Sequence, residues 1–313
     1  MVRTEMLPWQ APQHEQLAAQ MRADQVPHAL LFAGPRHVGK DRFAEDFCKL
    51  LLCESPAGGV HCGLCKACGL TEAGSHGDFR RLQPEASSRV IKIDQVRAAV
   101  EFAYKTAAFG GRKVLLISPA EALNVNAANA LLKCLEEPPP GTHIILVSHQ
   151  PQALPATIRS RCQIIRFPCP PEDASLRWLA CMIEGRGAED ALAADEGRPL
   201  LALILHREEQ VDRVAQLGIA LDALLSGNLS AAVAAQAMDG EDLTENLARL
   251  SLCLRNRIRQ QMCSGAVTGD VRALFRTLDE LQGYQRAEAR GSNPNAPLVV
   301  DTLLSGVAPR RAS

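Results

Sequence analysis

Ala29-Leu30-Leu31-Phe32-Ala33-Gly34-Pro35-Arg36-His37-Val38-Gly39-Lys40 is the stretch that decides the fold of this 313-residue chain. An apolar run of strand type, ALLFA, leads directly into G-x-x-x-x-G-K, and a helical pattern follows over Asp41–Leu52. In that setting the backbone N–H groups of the turn and of the helix N-terminus can face phosphate oxygens, and Lys40 can reach them. The next position of such a loop is ordinarily Ser or Thr, whose hydroxyl binds Mg²⁺. Here it is Asp41. A carboxylate at that point can still meet a metal, but it lies beside the phosphates and repels them. Gly34, Gly39, Lys40 and Asp41 therefore make a degenerate nucleotide site, with ATP binding expected to be weak or absent.

Further strand-type runs lie outward from the loop at Arg80–Gln83, Val90–Ile93, Val114–Ser118 and His143–Ser148. Helical stretches separate them, notably Gln95–Thr106 and Ala127–Glu137, the latter stopped by Pro138-Pro139-Pro140. Strands alternating with helices predict an α/β domain built on a mainly parallel sheet. After Phe167 the strands stop. Pro168, Pro170 and Pro171 read as a hinge, Glu172–His206 as a small helical module, and everything from about Arg207 onward as helix. Leu243, Leu247, Leu250, Leu254 and Ile258 step by three or four, which places one apolar face on a long helix and reads as core.

The strand Val114–Ser118 bears on catalysis. A working ATPase carries an Asp, usually followed by a Glu, at the end of such a strand, for Mg²⁺ and for orienting the attacking water. This chain has Ser118 and Pro119 there, and proline offers neither charge nor a backbone N–H. Glu121 lies two residues too late and reads as a solvated residue at a helix start. Independent ATP turnover is not expected.

Cys53, Cys62, Cys65 and Cys68 form C-x8-C-x2-C-x2-C in a Gly-rich loop after the first helix of the phosphate site. Four thiolates at about 2.3 Å satisfy tetrahedral Zn²⁺ and leave no open position, so the site reads as structural. His61 or His76 can substitute for one thiolate. Cys48 fits the buried side of the preceding helix, and core packing accounts for the six remaining cysteines. Met1–Gln20 carries Arg3, Glu5 and Glu15 without an apolar segment, so it does not read as a signal peptide. No run approaches the roughly 18 apolar residues of a membrane span. Eleven cysteines without an export signal fit a reducing cytoplasm. The formal net charge of −1 gives the whole chain no strongly basic character, so any contact with nucleic acid is expected to be local or shared with partners.

With these pieces in place, the chain resembles the delta-prime family of bacterial DNA polymerase III clamp-loader subunits. Pro27-His28-Ala29-Leu30-Leu31-Phe32 opens the phosphate loop as in that family, and the four-cysteine insertion has its spacing. Asn129-Ala130-Leu131-Leu132-Lys133-Cys134-Leu135-Glu136-Glu137-Pro138-Pro139 is close to the clamp-loader signature NALLKxLEEPP, and Ser160-Arg161-Cys162 is the SRC motif. Asn293–Leu304 is only loosely similar to the family's last helix.

The resemblance implies an α/β then all-α protein. Its parts are an AAA+ RecA-like domain with a zinc module near 53–68 (residues 1–168), a helical lid (169–206) and a helical collar for oligomerisation (207–313). It implies a stator in a hetero-pentamer with motor (gamma/tau) subunits and delta. That assembly loads the sliding clamp onto primed DNA, with no membrane involved and no ATPase or polymerase activity in this chain alone. By the same resemblance Arg161 reaches, as an arginine finger in trans, the γ-phosphate of ATP on an adjacent motor subunit. Leu200 stands where motor subunits carry a second phosphate-sensing arginine, and Arg198 is out of register with it. The competing readings are an autonomous AAA+ ATPase and a zinc-dependent nucleic-acid-binding module.

Overall fold

The computed structural model describes residues 6–85, 88–109, 111–183, 192, 197–207, 210–238, 243–264, 271–289 and 294–308. The chain divides into two compact units, Met1–Ala174 and Ser175–Ser313.

The first unit is built on five parallel strands. They are β1 (Ala29–Ala33), β2 (Phe79–Leu82), β3 (Lys113–Ile117), β4 (Thr142–Ser148) and β5 (Gln163–Arg166), in the spatial order β2-β3-β4-β1-β5. Every residue of β1, β3 and β4 is buried, as continuous apolar runs in a sheet covered on both faces require. The register pairs Leu31 with Leu146 on one side and Ile164 on the other. Alternation along β1 then sends side chains to opposite faces.

Leu31 joins Leu115, Ile117, Ile144, Leu131 and Leu135 in a cluster beneath α4 (Ile93–Tyr104) and α5 (Val125–Glu136). Leu30 and Phe32 join Phe43, Phe47 and Phe167 on the other face, against α1 (Ala11–Arg22) and α2 (Lys40–Leu52). The Phe43 and Phe167 rings meet edge to face at 5.1 Å. Each fully buried Leu, Ile or Phe contributes about 1.5–3 kcal/mol.

One strand expectation needs correction. Val90–Ile93 is not a strand: Ile91 makes a single parallel bridge to Leu123, and α4 begins at Ile93. Gln95 closes that helix start by accepting from the Lys92 N–H at 2.9 Å. The apolar pair Val90–Ile91 serves instead to plug Ile91, fully buried, into the core. The fifth strand is β5, which pairs with β1 alone and so forms a sheet edge.

β5 also explains Gly34. Phe167 N–H bonds to Ala33 O at 2.8 Å, so a Cβ on Gly34 would lie 2.0 Å from Phe167 O. That contact is with backbone and cannot be relieved by a rotamer change. Gly34→Ala is expected to destabilise the first unit by about 1–3 kcal/mol or more, read as a lower denaturant midpoint at unchanged m-value.

The second unit is helical in every described segment. Leu179, Ile183, Leu192, Ala202 and Leu203 form a small cluster around α7 (Glu172–Met182) and α8 (Pro199–Arg207). A larger cluster gathers α9 (Gln210–Leu225), α10 (Ala231–Ala235), α11 (Leu243–Ser264), α12 (Val271–Ala289) and α13 (Ala296–Val307). Leu243, Leu247, Leu250, Leu254 and Ile258 are all buried on α11, as their spacing predicts. Cys48, Cys134 and Cys253 are core residues, whereas Cys169 and Cys181 are exposed, so packing does not account for those two. The side chain of Cys263, and Asn293 at the start of the last expected helix, lie outside the described residues. No described helix is long and apolar enough to cross a membrane.

Candidate functional site

The phosphate loop sits where the sequence places it, at the carboxyl end of β1, with Lys40 opening α2. Gly39 has φ +86°, the left-handed conformation that lets the chain turn into the helix. The loop is tied down from the N-terminal side, since Trp9 Nε1 and Gln10 Nε2 both donate to Val38 O, at 3.0 and 3.1 Å.

The interior of the loop is filled by the chain's own polar groups. Lys40 is fully buried, and its ammonium donates to Pro35 O at 2.7 Å and to His149 Nδ1 at 2.5 Å. Burial lowers the Lys40 pKa to about 8, with Arg36 acting in the same direction and Asp41 and Glu121 opposing it. Burial, then the Lys40 charge, lowers His149 as well, so the imidazole is neutral at neutral pH and Nδ1 accepts. Sequence reading did not single out His149. The signal that could have found it is its place just past the end of the strand adjacent to β1.

Asp41 and Ser118 meet directly, Ser118 Oγ donating to Asp41 Oδ1 at 2.8 Å. An active loop has a hydroxyl on the helix and a carboxylate at the strand end, whereas here the two chemistries have changed places. A hydrogen bond joins the two positions, but the charge sits on the phosphate side. The strand-end hydroxyl is also engaged, so it is a poor substitute for the missing acid.

Glu121 is not the solvated residue the sequence suggested. It lies in a short 3-10 turn and accepts from the His149 N–H, at 3.0 Å to Oε1 and 3.3 Å to Oε2. Its carboxylate holds the backbone of the segment that carries the imidazole.

The four cysteines converge. The Sγ atoms of Cys53, Cys62, Cys65 and Cys68 all lie within 4.8 Å of one another. Cys53–Cys65 and Cys62–Cys68 are each 4.0 Å apart. A tetrahedron of Zn–S bonds near 2.3 Å has S···S edges of about 3.8 Å, so the donor set fits that ion. Backbone N–H groups of Cys62, Cys65 and Cys68 donate to the sulfurs of Cys53, Cys62 and Cys65 at 3.3–3.4 Å. Such bonds favour thiolate. At Cys62 the backbone N–H groups of Leu64 and Cys65 lower the thiol pKa to about 6, whereas burial raises those of Cys53 and Cys68.

The donor set consists of these four thiols and includes no histidine. His61 faces Asp46 at 3.7 Å and His76 stacks on Phe109 with ring centroids 4.7 Å apart. Cys65 also caps α3 (Lys66–Glu72), which fixes the second half of the knuckle.

Arg161 lies in the turn between α6 (Ala156–Arg159) and β5, partly exposed. Its guanidinium is held by Glu136 at the end of α5. Arg161 Nε donates to Glu136 Oε1 at 2.8 Å, and Nη2 lies 2.6 Å from the same oxygen. Nη1 donates to Thr157 O at 3.0 Å and Ser160 Oγ at 3.3 Å. Leu200 and Arg198 lie at the start of α8, in the second unit.

A five-stranded parallel sheet in the order β2-β3-β4-β1-β5 with a phosphate-loop turn, followed along the chain by a helical unit, is the architecture of an AAA+ protein. Along 94% of its length the chain superposes on 97% of a DNA polymerase III gamma subunit-related protein from Thermotoga maritima, with a TM-score of 0.52. Sequence identity there is 19%, so that likeness concerns fold alone.

Residues 9–171 match the family described as DNA polymerase III, delta subunit. Over 242 residues the chain is 43% identical to DNA polymerase III subunit delta' of Pseudomonas aeruginosa, covering 76% of this chain and 73% of that one. It is 39% identical over 202 residues to subunit delta' of Escherichia coli, covering 63% and 60%. The chain belongs to the DNA polymerase III subunit delta' family.

Proposed function

We propose that this chain is the stator of a DNA polymerase III clamp loader, a subunit that has given up its own ATPase and serves a neighbour's. In this reading it joins motor (gamma/tau) subunits and delta in a hetero-pentamer. Residues 1–168 are the AAA+ domain, 169–206 the lid and 207–313 the collar through which the ring assembles. The assembly loads the sliding clamp onto primed DNA. Zn²⁺ held by Cys53, Cys62, Cys65 and Cys68 braces the insertion near 53–68 and takes no part in the chemistry.

The observation that carries the proposal is an asymmetry between receiving and donating groups. On the receiving side, Lys40 is bound to Pro35 O and His149, and the carboxylate of Asp41 replaces the magnesium-binding hydroxyl. Strand-end acids are absent at Ser118 and Pro119. On the donating side, Arg161 remains partly exposed with its guanidinium held at the side by Glu136, a group that stays charged and can still offer its terminal nitrogens to phosphate oxygens. A chain built this way binds ATP weakly or not at all, yet can stabilise charge developing on a nucleotide held by an adjacent subunit.

The receiving side is tested on the isolated chain. Purified protein with Mg²⁺ and ATP is expected to turn over no faster than its Lys40→Ala variant, in a phosphate-release assay. Robust magnesium-dependent hydrolysis that disappears in Lys40→Ala contradicts the stator reading and favours an autonomous ATPase.

A further inference from the structure

We propose that Glu136 is the positioning residue for Arg161: it aims the guanidinium whose phosphate contact belongs to the proposed function, and the inference rests on that reading. An arginine side chain has four flexible torsions, and a finger that must enter another subunit's site gains from having them fixed beforehand. Three groups fix this one. Glu136 comes from the last turn of α5, Thr157 from α6, and Ser160 from the cap of α6.

The division of the five N–H groups gives the pairing its meaning. Glu136 Oε1 takes the Nε–H and one N–H of Nη2, which grips the side of the fork. Thr157 O takes one N–H of Nη1 at 3.0 Å. Ser160 Oγ, whose own O–H donates to Thr157 O at 3.2 Å, also accepts from Nη1 at 3.3 Å, the longest of these contacts. A phosphate is therefore left the second N–H of Nη2 and the loosely held N–H of Nη1. These belong to the two terminal nitrogens, so they can receive two phosphate oxygens end-on while the carboxylate keeps its grip.

The same contact gives the acidic end of the NALLKCLEEPP stretch a physical task. Val125–Glu136 buries Ala127, Ala128, Leu131, Cys134 and Leu135, which leaves Glu136 exposed on a helix anchored by its apolar face. Pro138 prevents the helix from continuing past it. With side chains 34% and 48% exposed, the Arg161–Glu136 pair contributes little to folding, so its removal separates aim from stability.

The test uses the reconstituted loader, comprising this chain with the motor and delta subunits of the same organism. It compares wild type, Glu136→Ala, Arg161→Ala and the double variant. The saturating clamp-loading rate is expected to fall about five-fold in Glu136→Ala, with the ATP concentration for half-maximal rate unchanged. The double variant is expected to be no slower than Arg161→Ala, because Glu136 acts only through the arginine. Glu136→Gln keeps an acceptor oxygen at the same reach and is expected to recover part of the rate; it also carries the test if Glu136→Ala assembles poorly.

Wild-type loading by both Glu136 variants, in a loader that Arg161→Ala impairs, overturns the positioning role alone. So does a double variant whose defect is the product of the two single defects. Wild-type loading by Arg161→Ala overturns the assignment of the finger, and the positioning role with it.

Discussion

On the proposed zinc site, Cys65→Ser is expected to remove most of the bound metal and to loosen the loop between α2 and α3. Cys65 holds two roles at once, as one of the four converging thiols and as the cap that accepts from the Cys68 N–H at 3.4 Å. Serine preserves the cap but supplies a hard, protonated oxygen in place of a thiolate, and three ligands hold Zn²⁺ far less well than four. Structural zinc in small modules contributes on the order of 10 kcal/mol to local folding. Protein contacts also tie the insertion down, with Ala67, Cys68 and Thr71 buried and His14 Nε2 meeting Gly59 O at 3.1 Å, so loss of the metal is expected to loosen the loop without unfolding the unit. Metal analysis should therefore give one zinc per wild-type chain and much less in the variant, with new proteolytic cleavage near residues 53–68. Cys253→Ser, a change in the core of the second unit, should leave zinc content unchanged. Freshly purified, untagged wild-type protein that contains no zinc removes the metal centre from the account.

Legibility in the sequence followed burial. β1, β3 and β4 are buried end to end, so each appears as an uninterrupted apolar run. The edges are harder to read. β2, with the sequence FRRL, has two exposed arginines, and Gln163–Arg166 exposes Ile164 and Arg166 while burying Ile165. Val90–Ile93 was misleading because a β-branched pair marks burial of Ile91, not sheet pairing, and a helix starts at once. The cysteine cluster was legible because its ligands are local in sequence, and two-residue gaps leave few geometries.

The filled interior of the phosphate loop was not legible. It depends on His149 and Glu121 meeting Lys40 and the His149 backbone across 109 and 28 residues, and no spacing rule encodes such contacts. The Asp41–Ser118 exchange lies between the two. Both departures were visible as losses, but their mutual hydrogen bond appears only when β3 lies beside β4 and α2 packs over the sheet. The Glu136 contact to Arg161 was hidden in the same way, since the two motifs read as separate signatures 25 residues apart.

Arg161→Ala should leave the chain folded and the loader assembled while depressing its work. The side chain is 34% exposed and its partners Glu136 and Ser160 are exposed too, so truncation strands no buried charge and a surface loss within about 1 kcal/mol is expected. On the proposed reading one neighbouring nucleotide site depends on Arg161, and losing an arginine finger costs roughly 10³–10⁵ in systems where the finger dominates. Sites served by other subunits continue to turn over, so total DNA-stimulated ATPase falls only in part. Clamp loading falls more steeply, because it requires the sites to act together. Arg161→Lys should recover little: an ammonium is a point charge and cannot occupy two phosphate oxygens while also meeting Glu136 and Thr157.

The most direct test of a subunit that serves its neighbour is the rate at which reconstituted loader containing Arg161→Ala places clamps on primed DNA. It is measured beside a sizing experiment that confirms the complex is whole. The account predicts normal assembly with a loading rate far below wild type. Normal assembly with wild-type loading would make Arg161 a surface arginine paired to Glu136, and the chain would be a structural member of the ring without a part in its neighbour's chemistry.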